Sequence, residues 1–253
     1  MASIAGVEPK IETGRVVQRG FDTLGQHFLP YLGLGLLLSG LPSALMQWFV
    51  LSGTIDPANT TLGYSFTPLF ILGWVISAVG AYILQATVVR SSIMHLGGRQ
   101  PEIGGSLAIA FRFLIPLIVI SILTWVLTTI GLIFLIVPGV IIFIMLIVSV
   151  PALIEERGGI FHSMRRSREL TKGSRGRIFL LLLLFGVIYL ILAGIASAIV
   201  EIAVDSIVIK VLFQGLVGTV TSVLVAAMLA SLYFELRTVK EGATVEGLAE
   251  VFE

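Results

Sequence analysis

From the N-terminus onward, the chain alternates long apolar runs, uncharged at their centres, with short segments that gather nearly all of its charge. Six runs reach ~18 residues or more, enough to cross a hydrocarbon core about 30 Å thick as α-helix. They cover residues 28–51, 67–96, 112–134, 136–154, 178–200 and 211–236. A stretch such as IFLLLLLFGVIYLILAGIASAIV (178–200) does not alternate polar and apolar positions, which excludes the ~10-residue strands of a membrane β-barrel. The pattern predicts an all-α, polytopic membrane protein with six transmembrane helices arranged as three helical hairpins, plus short interfacial amphipathic helices. Residues 1–27 form an N-terminal cytoplasmic or interfacial segment, 28–237 the membrane domain and 238–253 an acidic cytoplasmic tail.

The breaks carry helix-ending residues. SGTIDPANTTLGYSF (52–66) follows the first run, GGRQPEIGG (97–105) the second, and VPG (137–139) divides the third from the fourth. Proline lacks a donor and glycine tolerates positive φ, so each ends one helix or starts the next. Because its surroundings are wholly apolar, Pro138-Gly139 is expected to form either a tight turn or a short re-entrant bend. Pro42, inside the first run, is expected to kink it. The segments 22–38, 106–123 and 168–185 each lead from polar sequence into an odd-numbered run, the basis for reading three hairpins with an interfacial segment before each.

Composition agrees with this class: 57% of residues are hydrophobic and 12% charged, with mean hydropathy +1.05. Soluble domains carry about 25% charged residues. There is no cysteine, which excludes disulfides and thiolate metal or nucleophile chemistry. The polar N-terminal segment has no signal-peptide core, so the first run is expected to remain as an anchor. With the N-terminus inside, alternation over six crossings puts every Lys and Arg except Lys210 on the cytoplasmic side. The positive-inside rule predicts this bias, and both termini are then cytoplasmic.

Charge concentrates in FHSMRRSRELTKGSRGRIF (161–179). As a helix, 160–172 places Ile160, Phe161, Met164 and Leu170 toward one side, with His162, Arg165, Arg166, Arg168, Glu169 and Lys172 around the rest. Such a helix suits the headgroup layer. The candidate headgroup-binding residues are Arg165, Arg166, Arg168, Lys172, Arg175 and Arg177, since guanidinium groups match phosphate oxygens. An ordinary topology signal, a selective lipid-phosphate site and a protein partner all remain open readings of this cluster. Nucleic acid is not expected, because no recognition module accompanies it.

The spans themselves appear uncharged at their centres. Glu201, Asp205 and Glu235 are expected at wet helix ends, and His27, His95 and His162 near the cytoplasmic interface without metal-ligand spacing. No nucleophile elbow, phosphate-binding loop or zinc-protease motif occurs, so no catalytic residue, metal or cofactor is expected. Small residues four apart, Gly73, Ser77 and Ala81 in the second run and Ser222, Ala226 and Ala230 in the sixth, are candidate helix-packing positions. In the tail, Val245, Leu248 and Phe252 beside Glu246, Glu250 and Glu253 offer a frayed end or a partner-docking helix.

VPGVIIFIMLIVSVPALIEERGG, then HSMRRSRELTKGSRGRIF and LYFELRTVKEG (232–242), resembles the membrane domain fused to some glycerophosphodiester phosphodiesterases and its stand-alone bacterial relatives. The shared elements are Pro138-Gly139, Pro151 with Glu155, Ser167-x-x-Leu170-Thr171-x-Gly173, and Tyr233, Arg237 and Glu241-Gly242. They cover runs four to six; the first hundred residues match in layout. The resemblance implies an all-helical domain of the bacterial inner membrane. It implies no phosphodiesterase chemistry, which belongs to a separate catalytic domain. The function expected is that of a non-enzymatic protein that binds, organises or moves phospholipid. The alternatives are a scaffold or adaptor recruiting cytoplasmic partners and a transporter of an apolar or amphipathic compound; a homo-oligomer is also left open.

Overall fold

A computed structural model describes residues 12–51 and 68–241. The expectations for residues 1–11, for the 52–66 connection and for tail positions 242–253 lie outside the described residues. The elements in chain order are α1 (Thr13–Gly35), a π-helical stretch (Leu36–Gly40), α2 (Leu41–Leu51), α3 (Pro68–Leu96), α4 (Ile103–Arg112) and α5 (Leu114–Phe134). Then follow α6 (Ile136–Leu146), α7 (Ser149–Glu156), α8 (Ile160–Thr171), α9 (Arg175–Ala203) and α10 (Ile207–Glu241). Six segments are long and apolar enough to cross a bilayer: His27–Phe49, Leu72–Leu96, Leu114–Phe134, Ile136–Glu156, Arg175–Ala203 and Ile207–Glu241. They coincide with the six runs read from the pattern. Short helices or half-helices (the start of α1, α4 and α8) precede the odd-numbered spans.

The first span is broken twice, each time near a proline. His27 departs from helical geometry (φ −130°, ψ 22°) just before Pro30. This separates the amphipathic start of α1, which buries Val16, Gly20, Thr23 and Leu24 at helical spacing, from the span proper. The kink expected at Pro42 takes the form of the π-helical stretch, in which the Leu41 N–H reaches back to the Leu36 carbonyl. Pro42 has no N–H for the Leu38 carbonyl four residues back, and α3 packs Gly80 against that carbonyl; a Cβ there would overlap its oxygen. Close approach continues on α10, where a Cβ at Gly215 would stand 3.2 Å from the Gly40 carbonyl oxygen.

This geometry refines the small-residue stripes. Four-residue steps advance 400° around a helix, so Gly73, Ser77 and Ala81 drift off a straight contact line. Gly73 meets Met46, but the line then runs through Gly80, Leu84, Thr87 and Ser91, the last three fully buried, while Ser77 and Ala81 are half-buried. On α10, Ala226 and Ala230 are fully buried. Ser222 bonds its own helix at the Gly218 carbonyl, 2.9 Å away.

The third and fourth spans divide at residue 135, as the run bounds 112–134 and 136–154 place it, but Pro138-Gly139 does not form the turn. Leu135 alone, extended at φ −165° and ψ 149°, links α5 to α6. Pro138 lies in the first turn of α6, where a missing donor costs nothing. Gly139 instead allows close packing, since a Cβ on Gly131 would lie 2.8 Å from the Gly139 Cα.

The fourth span breaks at Ile147–Val148, one turn before Pro151, and the interruption leaves carbonyls that apolar surroundings cannot satisfy. Two serines take them. Ser149 Oγ donates to the Leu146 carbonyl (2.6 Å) and Ser167 Oγ, from α8, to the Met145 carbonyl (2.7 Å). Ser167→Ala is expected to cost about 1–3 kcal/mol by orphaning a buried acceptor. Ser163→Ala, whose hydroxyl bonds only its own helix at Gly159, should cost less. Thermal unfolding in detergent ranks the two.

The core lies where α10 packs against α1, α2 and α3, with Tyr31, Leu84, Val88, Val223, Ala226, Ala227 and Tyr233 fully buried. In contrast, α9 is peripheral and exposes most of its aliphatic side chains.

Candidate functional site

Ionic contacts gather at one end of the bundle and fix which helix ends share it. Arg19 at the start of α1 pairs with Glu235 at the end of α10 (2.6 Å), and Arg15 approaches the same carboxylate at 3.6 Å. Glu235 is 0% exposed and Arg19 27% exposed, so the wet helix end expected for Glu235 is not what the fold provides. The amphipathic half of α1 folds over the end of α10, and its bare Gly20 backbone admits Met228 and Ser231. The Arg19 guanidinium also lies 5.3 Å from the Phe234 ring centroid. A hydrogen bond donated to Glu12 and the Glu235 charge raise the Arg15 pKa, so Arg15 stays cationic.

A second hub is Glu156, the last residue of α7. It accepts from Arg166 Nε (2.8 Å) and the Tyr233 hydroxyl (2.9 Å), and His162 Nε2 stands 3.3 Å away. Arg166 reaches further, to Glu241, which also accepts from Arg237 Nε at 2.8 Å. Arg90 on α3 approaches Glu155 at 3.9 Å. The tight turn that brings α8 back is made by Arg157 at φ 53° and Gly159 at φ 85°. Between them, Gly158 lies against the His162 ring, where a side chain would collide.

The hubs divide the basic cluster into inward and outward residues. The inward face of α8 is Ser163, Ser167, Leu170 and Thr171, all buried, with Ile160 and Met164 of the apolar set packed against the core at its edge. Small hydroxyl residues let α8 approach α6, α7 and α10 while bonding backbone carbonyls. Phe161 points outward, 78% exposed. Arg166 faces the bundle at 21% exposure, whereas Arg165 is 70% exposed, and Arg168 and Lys172 are also exposed. Arg175 and Arg177 are half-buried at the start of α9. The outward stripe of α8 is therefore Phe161, Arg165 and Arg168, spaced four and three residues apart, and Lys172, extended just past the helix end, is exposed as well.

Other candidates separate. His27 and His95 meet edge to face, with ring centroids 5.8 Å apart, whereas His162 belongs to the Glu156 hub. Among the described residues no three His, Asp or Glu side chains converge as a metal site. At the opposite end Lys210 pairs with the exposed Glu201 at 2.7 Å. The residues behind the noted resemblance perform fastening here: Ser167 ties α8 to α6, Tyr233 ties α10 to α7, and Arg237 steadies the Glu241 carboxylate beside Arg166. Sequence reading missed Glu156 and Arg19 as partners because pairs 77 and 216 residues apart leave no local signal.

Comparison of the chain with protein-family models, curated proteins and solved structures returns no match.

Proposed function

We propose that this is a non-enzymatic membrane protein that binds or organises phospholipid through the outer stripe of α8. The observation that carries the reading is the division of labour on one helix. Arg166, Ser167 and Leu170 lock α8 to the bundle, while Arg165, Arg168 and Lys172 project with the exposed Phe161. A cationic row beside an aromatic ring matches the headgroup layer, with phosphate at the cations and the ring among the first acyl carbons. The positive-inside bias supports a cytoplasmic position for this end and for both termini. The resemblance to the membrane domain of certain phosphodiesterases supports a bacterial inner membrane as the setting.

Each cation near an anionic leaflet contributes about 1 kcal/mol, so Arg165→Gln/Arg168→Gln/Lys172→Gln should weaken anionic-lipid binding by on the order of 100-fold at low salt. Mass spectrometry of lipid retained through purification measures this. Retention equal to the parent chain contradicts the reading. Arg166→Gln supplies the contrast, lowering the unfolding temperature more than lipid retention.

A further inference from the structure

A second feature of the same end has the opposite charge logic. Between the amphipathic half of α1 and the end of α3 lies an open groove of about 510 Å³, lined by Arg19, Phe21, Asp22, Gly25, His95 and Leu96. Its depth is set by the spans it borders, one beginning at His27 and the other ending at Leu96. The groove thus sits where hydrocarbon gives way to headgroups.

Both signs of charge line it. The side chains of Asp22 and His95 make no hydrogen bond or ion pair among the described residues, although both carry groups able to do so. Arg19 commits Nη1 to Glu235, and a guanidinium has five N–H donors. The His95 ring is held edge-on by His27, which in turn stands edge-on to Tyr31, with centroids 6.1 Å apart. Phe21 and Leu96 supply apolar walls, and Gly25 leaves its part of the lining open.

We propose that this groove binds a phosphoethanolamine group, with the ammonium donating to Asp22 and the phosphate accepting from Arg19 and His95. The glycerol end and first acyl carbons then lie on Phe21 and Leu96. A purely anionic headgroup would set like charge against Asp22. A phosphocholine group has no N–H for that carboxylate, so a primary ammonium is selected. The site is separate from the α8 stripe and stands without it.

The test uses the full chain in mild detergent with equal amounts of phosphatidylethanolamine, phosphatidylcholine and phosphatidylglycerol of matched acyl chains, read by native mass spectrometry. The parent should retain the ethanolamine lipid about fivefold over the choline lipid, the worth of one partly exposed charge pair. Asp22→Asn should abolish that preference without lowering phosphatidylglycerol retention, since the carboxylate that repels an anionic headgroup is gone. The α8 triple variant should do the reverse. Equal retention of the two zwitterionic lipids by the parent, or a preference that survives Asp22→Asn, overturns the proposal, as does an Asp22→Asn loss spread equally over all three lipids. Adding soluble glycerophosphoethanolamine identifies the source within the proposal: displacement of the lipid shows that the headgroup suffices, and retention shows that the acyl portion is required.

Discussion

Arg19→Leu is expected to destabilise the protein by about 3–5 kcal/mol, the cost of leaving a buried charge without its partner. Glu235 is 0% exposed and loses its 2.6 Å contact, while Arg15 at 3.6 Å lies on the wetter side and compensates in part. The Arg19→Leu/Glu235→Leu double variant should recover most of the loss, because apolar replacement of a whole buried pair is often neutral or better. Arg165→Leu is the surface reference. Its Glu169 contact is 3.9 Å long between exposed groups, so its effect should stay below about 1 kcal/mol. Chemical unfolding in detergent compares the three. A single Arg19→Leu effect as small as that of Arg165→Leu would mean the α1–α10 clasp is not buried in solution.

The second large effect belongs to Gly80→Ala. One methyl group there meets the Leu38 carbonyl oxygen, which belongs to backbone and cannot swing aside. Either α3 moves off the first span or the π-helical stretch refolds, and overpacking of this kind costs typically about 1–3 kcal/mol. Gly186→Ala and Gly194→Ala on α9, where an added Cβ meets nothing within 4 Å, should be neutral or slightly stabilising. A Gly80→Ala protein as stable as Gly194→Ala would refute the close crossing of α3 with the π-helical stretch.

The spans were legible because a bilayer imposes a length and an apolar composition that survive without knowledge of partners. Boundaries depending on backbone accounting were less so. The run bounds located the third-to-fourth division, but Pro138-Gly139 was read as the turn itself, since proline is as welcome in a first helical turn as in a bend. Phe161 could be placed on the apolar side of a headgroup-layer helix, but the bundle-facing set Ser163, Ser167 and Thr171 could not be read, because the carbonyl that rewards Ser167, that of Met145 near the Ile147–Val148 break, lies 22 residues away. Long-range pairing was the least readable part. Glu235 among apolar neighbours looked like a helix end until α1 supplied Arg19 from the far end of the chain. The candidate cations could be named from composition, but only the docked orientation of α8 separates Arg166 from Arg165 and Arg168.

Because the chain contains no cysteine, single introduced thiols report sidedness without background. The decisive measurement is labelling of Arg168→Cys and Ser206→Cys in intact cells and in opened membranes with a membrane-impermeant maleimide. Position 206 should react in intact cells and position 168 only after the membrane is opened. Labelling of position 168 from outside would put the α8 stripe on the wrong leaflet and contradict the headgroup assignment.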